Sequence, residues 1–262
     1  MTDPILLRSD ASHIATLTLN APKSFNALSD AMLAALSQTL AEIAENPDIR
    51  VVVVKGAGRA FCAGHDLKEM QAARAAPDGG AAAFASLFAR CSAVMQSLRA
   101  LPQPVIASVQ GIATAAGCQL VASCDLAVAT RDSRFGVNGV NIGLFCSTPM
   151  VALSRKIPAA VAFEMLTTGA FITAERAREV GLINRIADPE TLDVETQSLA
   201  ETLAAKLTAA VRIGKRAFYE QAELPLAAAY AHTGAVMVEN MLQPDTDEGI
   251  RAFLEKRKPD WS

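Results

Sequence analysis

The sequence predicts an α/β fold that ends in a wholly helical region, and three observations carry that prediction. Short β-branched runs alternate with segments of helical period from residue 5 to residue 186. Residues 48–54, DIRVVVV, form an apolar run without polar alternation, the pattern of a strand covered on both faces of a parallel sheet. From about Pro189 onward only helical patterns follow, which divides the chain into a core over residues 1–190 and a helical region over 191–262. A chain of 262 residues that is 51% hydrophobic has enough material for one sizeable core.

Residues 5–8 and 14–19 are β-prone, and 13–19 partly alternate, predicting a half-buried hairpin. Residues 21–24 break the pattern and place Lys23 in a loop. Ser29 or Asp30 caps a helix to about residue 44, with Met32, Leu33, Leu36, Leu40 and Ile43 on one face. The strand at 48–54 runs into GAGRAFCAGHDLKEM at 56–70, a glycine loop that enters a helix. Residues 71–80, rich in alanine and glycine with Pro77 and Asp78, predict a surface loop. Residues 81–101 predict a long helix with Phe84, Leu87, Phe88, Cys91 and Met95 inward.

The chain is organised around residues 101–129, LPQPVIASVQGIATAAGCQLVASCDLAVA, read as a strand at 104–110, a break at Gly111, a helix at 115–123 and a strand at 124–129. Thr114, Ala115, Ala116 and Gly117 put the smallest side chains at a helix start. Unpaired N–H groups and the positive end of the helix dipole are thereby open to close approach. Such a join either holds an oxyanion or packs against a neighbouring backbone.

Beyond it, residues 134–143 are glycine-punctuated and read as a loop or short strand; Pro149, Pro158 and Gly169 divide three short helical pieces, and 181–186 reads as a small strand. The C-terminal helices are expected at 191–210, 209–224, 226–241 and 247–256, broken near Gly214, Pro225 and Pro244.

Composition excludes several classes. The net charge is −3 with no basic stripe, so nucleic acid is not an expected partner. No apolar run approaches the ~18 residues of a bilayer span. The N-terminus lacks a basic segment followed by an apolar one, so no secretory signal is expected. Five cysteines, neither an even set nor a C-x-x-C pair, argue for reduced thiols and a cytoplasmic setting. Cys62 and His65 have C-x-x-H spacing, but with three histidines in the chain no metal site is expected.

The segments LTLNAPKSFNALS, FCAGHDLKEM, PVIASVQGIATAAGCQL, SCDLAVAT, FGVNGVNIGLFCSTP, MLTTGAFITAERAREVGLINRI and EGIRAFLEKRKPDW, in this order and spacing, resemble the enoyl-CoA hydratase/isomerase (crotonase) superfamily over nearly the whole chain. The resemblance implies a crotonase-like spiral of repeated ββα units with a C-terminal helical trimerisation region that also covers the CoA pocket. It implies an acyl-CoA thioester as the substrate, coenzyme A being part of that substrate and no separate cofactor being needed. It also implies a homotrimer or dimer of trimers, lyase or isomerase chemistry, and a place in fatty acid metabolism.

Residue by residue, the resemblance assigns the two backbone N–H donors of an oxyanion hole to His65 and Ala116, the latter replacing the usual glycine. The two hydratase glutamates fall on Gln119 and Gly139, neither of which can trade a proton near neutral pH. Lys23, Ala63, Asp66, Leu67, Lys68, Asn138 and Asn141 fall on substrate contacts. The residues themselves also permit plainer roles: Lys23 as a solvated turn lysine, Asp66 and Glu69 as helix-start groups, Glu164 as a solvated helix carboxylate and Cys118 as a core residue. The His65 ring fits a packed side chain better than a base. Two functions stand side by side, an enzyme that stabilises a thioester enolate with conventional hydration in doubt, and a non-catalytic acyl-CoA-binding or regulatory scaffold.

Overall fold

A computed structural model describes residues 3–261; Met1, Thr2 and Ser262, the outer ends of the two expected regions, lie outside it. Strands β1 (Leu6–Ala11) and β2 (Ile14–Leu19) pair antiparallel, turned by Ser12 and His13 at φ 50° and 65°. Helix α1 (Asp30–Ala44) starts at Ser29, whose hydroxyl accepts from Met32 N at 3.2 Å, and buries the expected five-residue stripe. Next come β3 (Val51–Gly56), α2 (Leu67–Ala73), α3 (Ala81–Ala100), β4 (Val105–Val109), β5 (Ile112–Thr114), α4 (Ala116–Ser123) and β6 (Leu126–Thr130). The chain continues through β7 (Arg134–Gly136), a tight helical turn (Asn138–Ile142), α5 (Ser147–Lys156), α6 (Ala159–Thr168), β8 (Ile172–Thr173), α7 (Ala174–Glu179) and β9 (Arg185–Ala187). It closes with α8 (Leu192–Ala204), α9 (Thr208–Gln221), α10 (Leu226–Met241) and α11 (Pro244–Leu254).

The main sheet has the order β1-β2-β3-β4-β6-β9, parallel except for β1 against β2. Its central strands are largely apolar because both faces are covered, and the polar exceptions are paired with α8, Lys55 with Asp193 and Ser108 with Thr196. Val52 and Val54 of β3 face one core with Leu17, Leu36 and Ala107, while Val51 and Val53 face another with Ile106, Val128, Leu199 and Ala200. Helix α8 therefore forms the second layer over the sheet.

Several boundaries differ from the sequence expectation. Residues 112–114, 134–136 and 172–173 form a second sheet, β5-β7-β8, whose strands are too short to show a period. Residues 71–73 belong to α2, and the loop after them ends at Asp78, whose carboxylate accepts from Gly80 N and Ala82 N at 2.9 Å each. Pro149 lies in the first turn of α5 and does not divide two pieces. Gly214 continues inside α9, the break falling instead between α8 and α9, while Pro244 opens α11, where a missing N–H costs nothing. Helix α3, 20 residues long, is apolar enough by length and composition to cross a bilayer, contrary to the expectation that no run is. Its stripe Leu87, Cys91, Val94, Met95 and Leu98 is buried in the core instead, and Phe84 and Phe88 are half-buried.

Candidate functional site: two abutting turns beneath helix α4

The site begins where β3 ends. Asn26, fully buried, adopts the left-handed conformation that asparagine tolerates, at φ 55°. Its side-chain nitrogen donates to the carbonyls of Ala57, Ala60 and Phe61 at 2.9, 2.8 and 3.2 Å, and its Oδ1 accepts from Ala21 N at 2.9 Å. One side chain thus ties the Pro22–Ser24 turn to the loop after β3. The loop is held on its other side by Thr114 N donating to Cys62 O at 3.0 Å, and Leu28 N donates to Gly64 O at 2.7 Å.

The second turn joins β5 to α4. A Cβ added to Gly117 would fall 2.1 Å from Cys62 O, so the helix start lies directly on the first loop. One added to Gly64 would fall 2.9 Å from Ala115 Cβ and 3.2 Å from Ala116 N. His65, which follows Gly64, and Ala116, which precedes Gly117, therefore sit on turns in mutual contact. Among the described residues neither amide donates to a protein acceptor, and Ala116, first residue of α4, carries one of the helix's orphan N–H groups. Ala115, which precedes it, adopts φ 49° and ψ −121°, a region that alanine occupies only under strain. Strain of this kind concentrates where a backbone group has to be aimed.

The side chains around the turns are largely committed elsewhere. Asp66 caps α2, accepting from Lys68 N at 2.8 Å, and Glu69 accepts from Asp30 N at 2.9 Å at the start of α1. The His65 ring packs edge-on against Phe88 with centroids 5.7 Å apart, and burial holds its pKa below the ordinary value. Its Nδ1 lies 3.5 Å from Leu28 O, and its Nε2 is buried without a partner. Burial pushes the thiols of Cys62 and Cys118 up to about 12, so neither is a thiolate at neutral pH. Glu164 is exposed on α6. Among the described residues no group of three or more His, Cys, Asp or Glu comes together.

Gln119 lies one turn into α4 from Ala116, is 4% exposed, and among the described residues leaves Oε1 without a partner. It lines a cavity of about 200 Å³ between α3, α4 and α5. Gly139 is buried, and a Cβ there would fall 2.3 Å from Leu144 O and 2.8 Å from Cys146 Sγ. Asn138 is brought to β5, its Oδ1 accepting from Thr114 Oγ1 at 2.6 Å, whereas the Asn141 amide packs on Gly169 at the end of α6. Lys23, Leu67 and Lys68 are exposed, and Ala63 joins their loops by donating to Phe25 O at 3.0 Å. Sequence reasoning missed Asn26, whose burial no local pattern signals, and the conformation of Ala115.

Residues 9–262 match the family described as enoyl-CoA hydratase/isomerase. The chain belongs to that family. It is 45% identical over 249 residues to the mouse (Mus musculus) enoyl-CoA hydratase domain-containing protein 3, mitochondrial, covering 95% of this chain and 81% of that one. The crystal structure of human enoyl-CoA hydratase domain-containing protein 3 superposes with a TM-score of 0.93 at 44% identity, covering 98% and 100% of the two chains. That of an enoyl-CoA hydratase from Mycobacterium smegmatis superposes with a TM-score of 0.95 at 54% identity, covering 99% of each. The fold of this enoyl-CoA hydratase/isomerase family member is accordingly the crotonase fold.

Proposed function

We propose that this protein binds an acyl-CoA thioester and stabilises its enolate with the backbone N–H groups of His65 and Ala116. The observation that carries the reading is the pair of abutting turns whose two amides have no protein acceptor among the described residues, one of them directly after the strained Ala115. As a base from the solvent takes a proton from the α-carbon, the C–H electron pair moves into the thioester and its oxygen gains charge, which two preset donors stabilise more than they stabilise the neutral carbonyl. Lys23 and Ala63 on the adjoining turns, Asp66, Leu67 and Lys68 at the start of α2, and Asn138 are the proposed contacts to the coenzyme and acyl group. Asn141 is proposed to act only through the segment it anchors to Gly169.

The glutamates that a hydratase of this family uses correspond in our reading to Gln119 and Gly139, so conventional hydration is expected to be weak. Losing one general acid or base costs roughly 10²–10⁴ in rate. A second reading, a scaffold that binds acyl-CoA without turnover, is favoured by Gly139, where Leu144 O leaves no room for a side chain. The exposed Phe218, Leu226, Tyr230, Leu242 and Phe253 on α9 to α11 support assembly into a homotrimer or dimer of trimers. Five buried free thiols suit a reducing compartment such as the cytoplasm.

The test is α-proton exchange of butyryl-CoA in D2O, followed by mass, together with hydration of crotonyl-CoA. Accelerated exchange with slow hydration supports the enolate reading. Binding without exchange supports the scaffold, and no binding overturns both.

A further inference from the structure

The cavity behind Gln119 has a polar inner end and a cationic outer end. Its floor is one face of α4, Gln119, Ala122 and Ser123, and its walls are the α3 face bearing Met95 and the α5 face bearing Val151. At the inner end Gln119, more than nine-tenths buried, has no hydrogen-bond partner for Oε1 among the described residues. At the outer end stands Arg99, which also lines an adjoining cleft of about 720 Å³ between α3 and α9.

Arg99 is the unusual member. Its guanidinium lies over the Tyr219 ring, 4.3 Å from the centroid, and among the described residues it makes no ion pair or hydrogen bond. A stacked guanidinium keeps its edge of N–H donors free in the plane, the geometry that takes a carboxylate in two parallel bonds. The neighbouring charges do not neutralise it. Asp125 is taken by Lys215 at 2.7 Å and by Tyr219 OH at 2.6 Å, and Glu223 faces Arg155 at 3.6 Å. The Lys156 ammonium adds a second cation, spent on the carbonyls of Cys124 and Asp125 at 2.9 Å each. Burial above all lowers the Lys156 pKa, with Asp125 opposing the shift and the Arg99 charge adding to it.

Resting on the thioester reading above, we infer that the cavity receives an acyl chain whose far end is a carboxylate, held by Arg99. A helix rises about 1.5 Å per residue, so the α4 face from Ala116 to Ser123 spans about 10 Å. An extended backbone covers ~3.5 Å with three bonds, so that span takes a chain of roughly eight or nine bonds. Acyl groups of roughly six to eight carbons, with the arginine side chain supplying the remaining reach, fit it.

The experiment is calorimetric titration of the full chain with matched pairs, hexanoyl-CoA against adipyl-CoA and octanoyl-CoA against suberyl-CoA. The dicarboxylic member of at least one pair is expected to bind roughly tenfold tighter, the scale of one charge-assisted hydrogen bond. Arg99→Met should bring that ratio to about one, and Arg99→Lys should keep part of it. Equal or weaker binding of both dicarboxylic thioesters by the unmodified protein, or a ratio unmoved by Arg99→Met, overturns the inference. If the monocarboxylic thioesters bind without a preference, only the carboxylate assignment falls. If none of the four binds, the thioester reading falls with it.

Discussion

Gly117 rests on Cys62: a Cβ at position 117 would lie 2.1 Å from the Cys62 carbonyl oxygen, so the start of α4 and the loop after β3 meet backbone to backbone. The proximity of the two proposed oxyanion donors depends on that contact. Gly117→Ala should lower stability by about 2 kcal/mol through overpacking and reduce thioester affinity more than the melting shift accounts for. Thermal unfolding and titration with butyryl-CoA measure the two effects separately. Unchanged affinity in a folded Gly117→Ala variant would remove the link between this contact and binding.

Ala115 should respond in the opposite sense. Its φ of 49° and ψ of −121° suit glycine, so Ala115→Gly relieves strain of about 1–3 kcal/mol against the extra freedom glycine gains when unfolded. A net gain of about 1 kcal/mol is expected, read as a higher melting temperature. A lower one would mean that the conformation carries no strain.

An amide-to-ester exchange at Ala116, with lactic acid in place of the alanine, tests the donor itself. It removes only the N–H in question, whereas a proline there would conflict with the φ of 49° and ψ of −121° at Ala115. The α-proton exchange rate should fall by roughly 10²–10³, the cost of one oxyanion donor, while far-UV circular dichroism stays native. Exchange at the original rate would exclude Ala116 as a donor.

Restoring the family glutamates should succeed at only one position. Gln119→Glu keeps the side-chain shape and places a carboxyl in a buried setting, which raises its pKa and suits proton transfer. Crotonyl-CoA hydration should rise roughly tenfold or more. Gly139→Glu must displace Leu144 O and Cys146 Sγ, so the double variant should melt below Gln119→Glu and hydrate no faster.

At the C-terminus, Glu248 accepts from Arg257 and from Asp260 N at 2.8 Å, and the Arg257 hydrogen bond above all holds its carboxyl at about 2. A depressed carboxylate pKa stabilises fully above its unfolded value and is lost as pH falls through the folded one. The tail should therefore loosen between about 4.5 and about 2, reported by the fluorescence of Trp261, the only tryptophan, which packs on Gly249. Glu248→Gln should show the loosened signal already at neutral pH; an identical acid titration in that variant would exclude Glu248 as the latch.

The long elements and the chemistry of the turns were legible in the chain's local pattern. The stripe Met32, Leu33, Leu36, Leu40 and Ile43 and the run Val51–Val54 carry their burial in their own period, because amphipathicity is a local property of a helix or strand. The small residues from Thr114 to Gly117 announced a helix start open to close approach, and the motif order announced the family. Tertiary structure decided the rest. The strands β5, β7 and β8 exist only through one another, since two or three residues have no period to display. Asn26 binds three carbonyls from a loop more than thirty positions away, and among the described residues Arg99 makes no ion pair because α9 brings it a ring instead of a carboxylate. Such roles arise from what distant segments place beside a residue, and no window of the chain contains both halves of the contact.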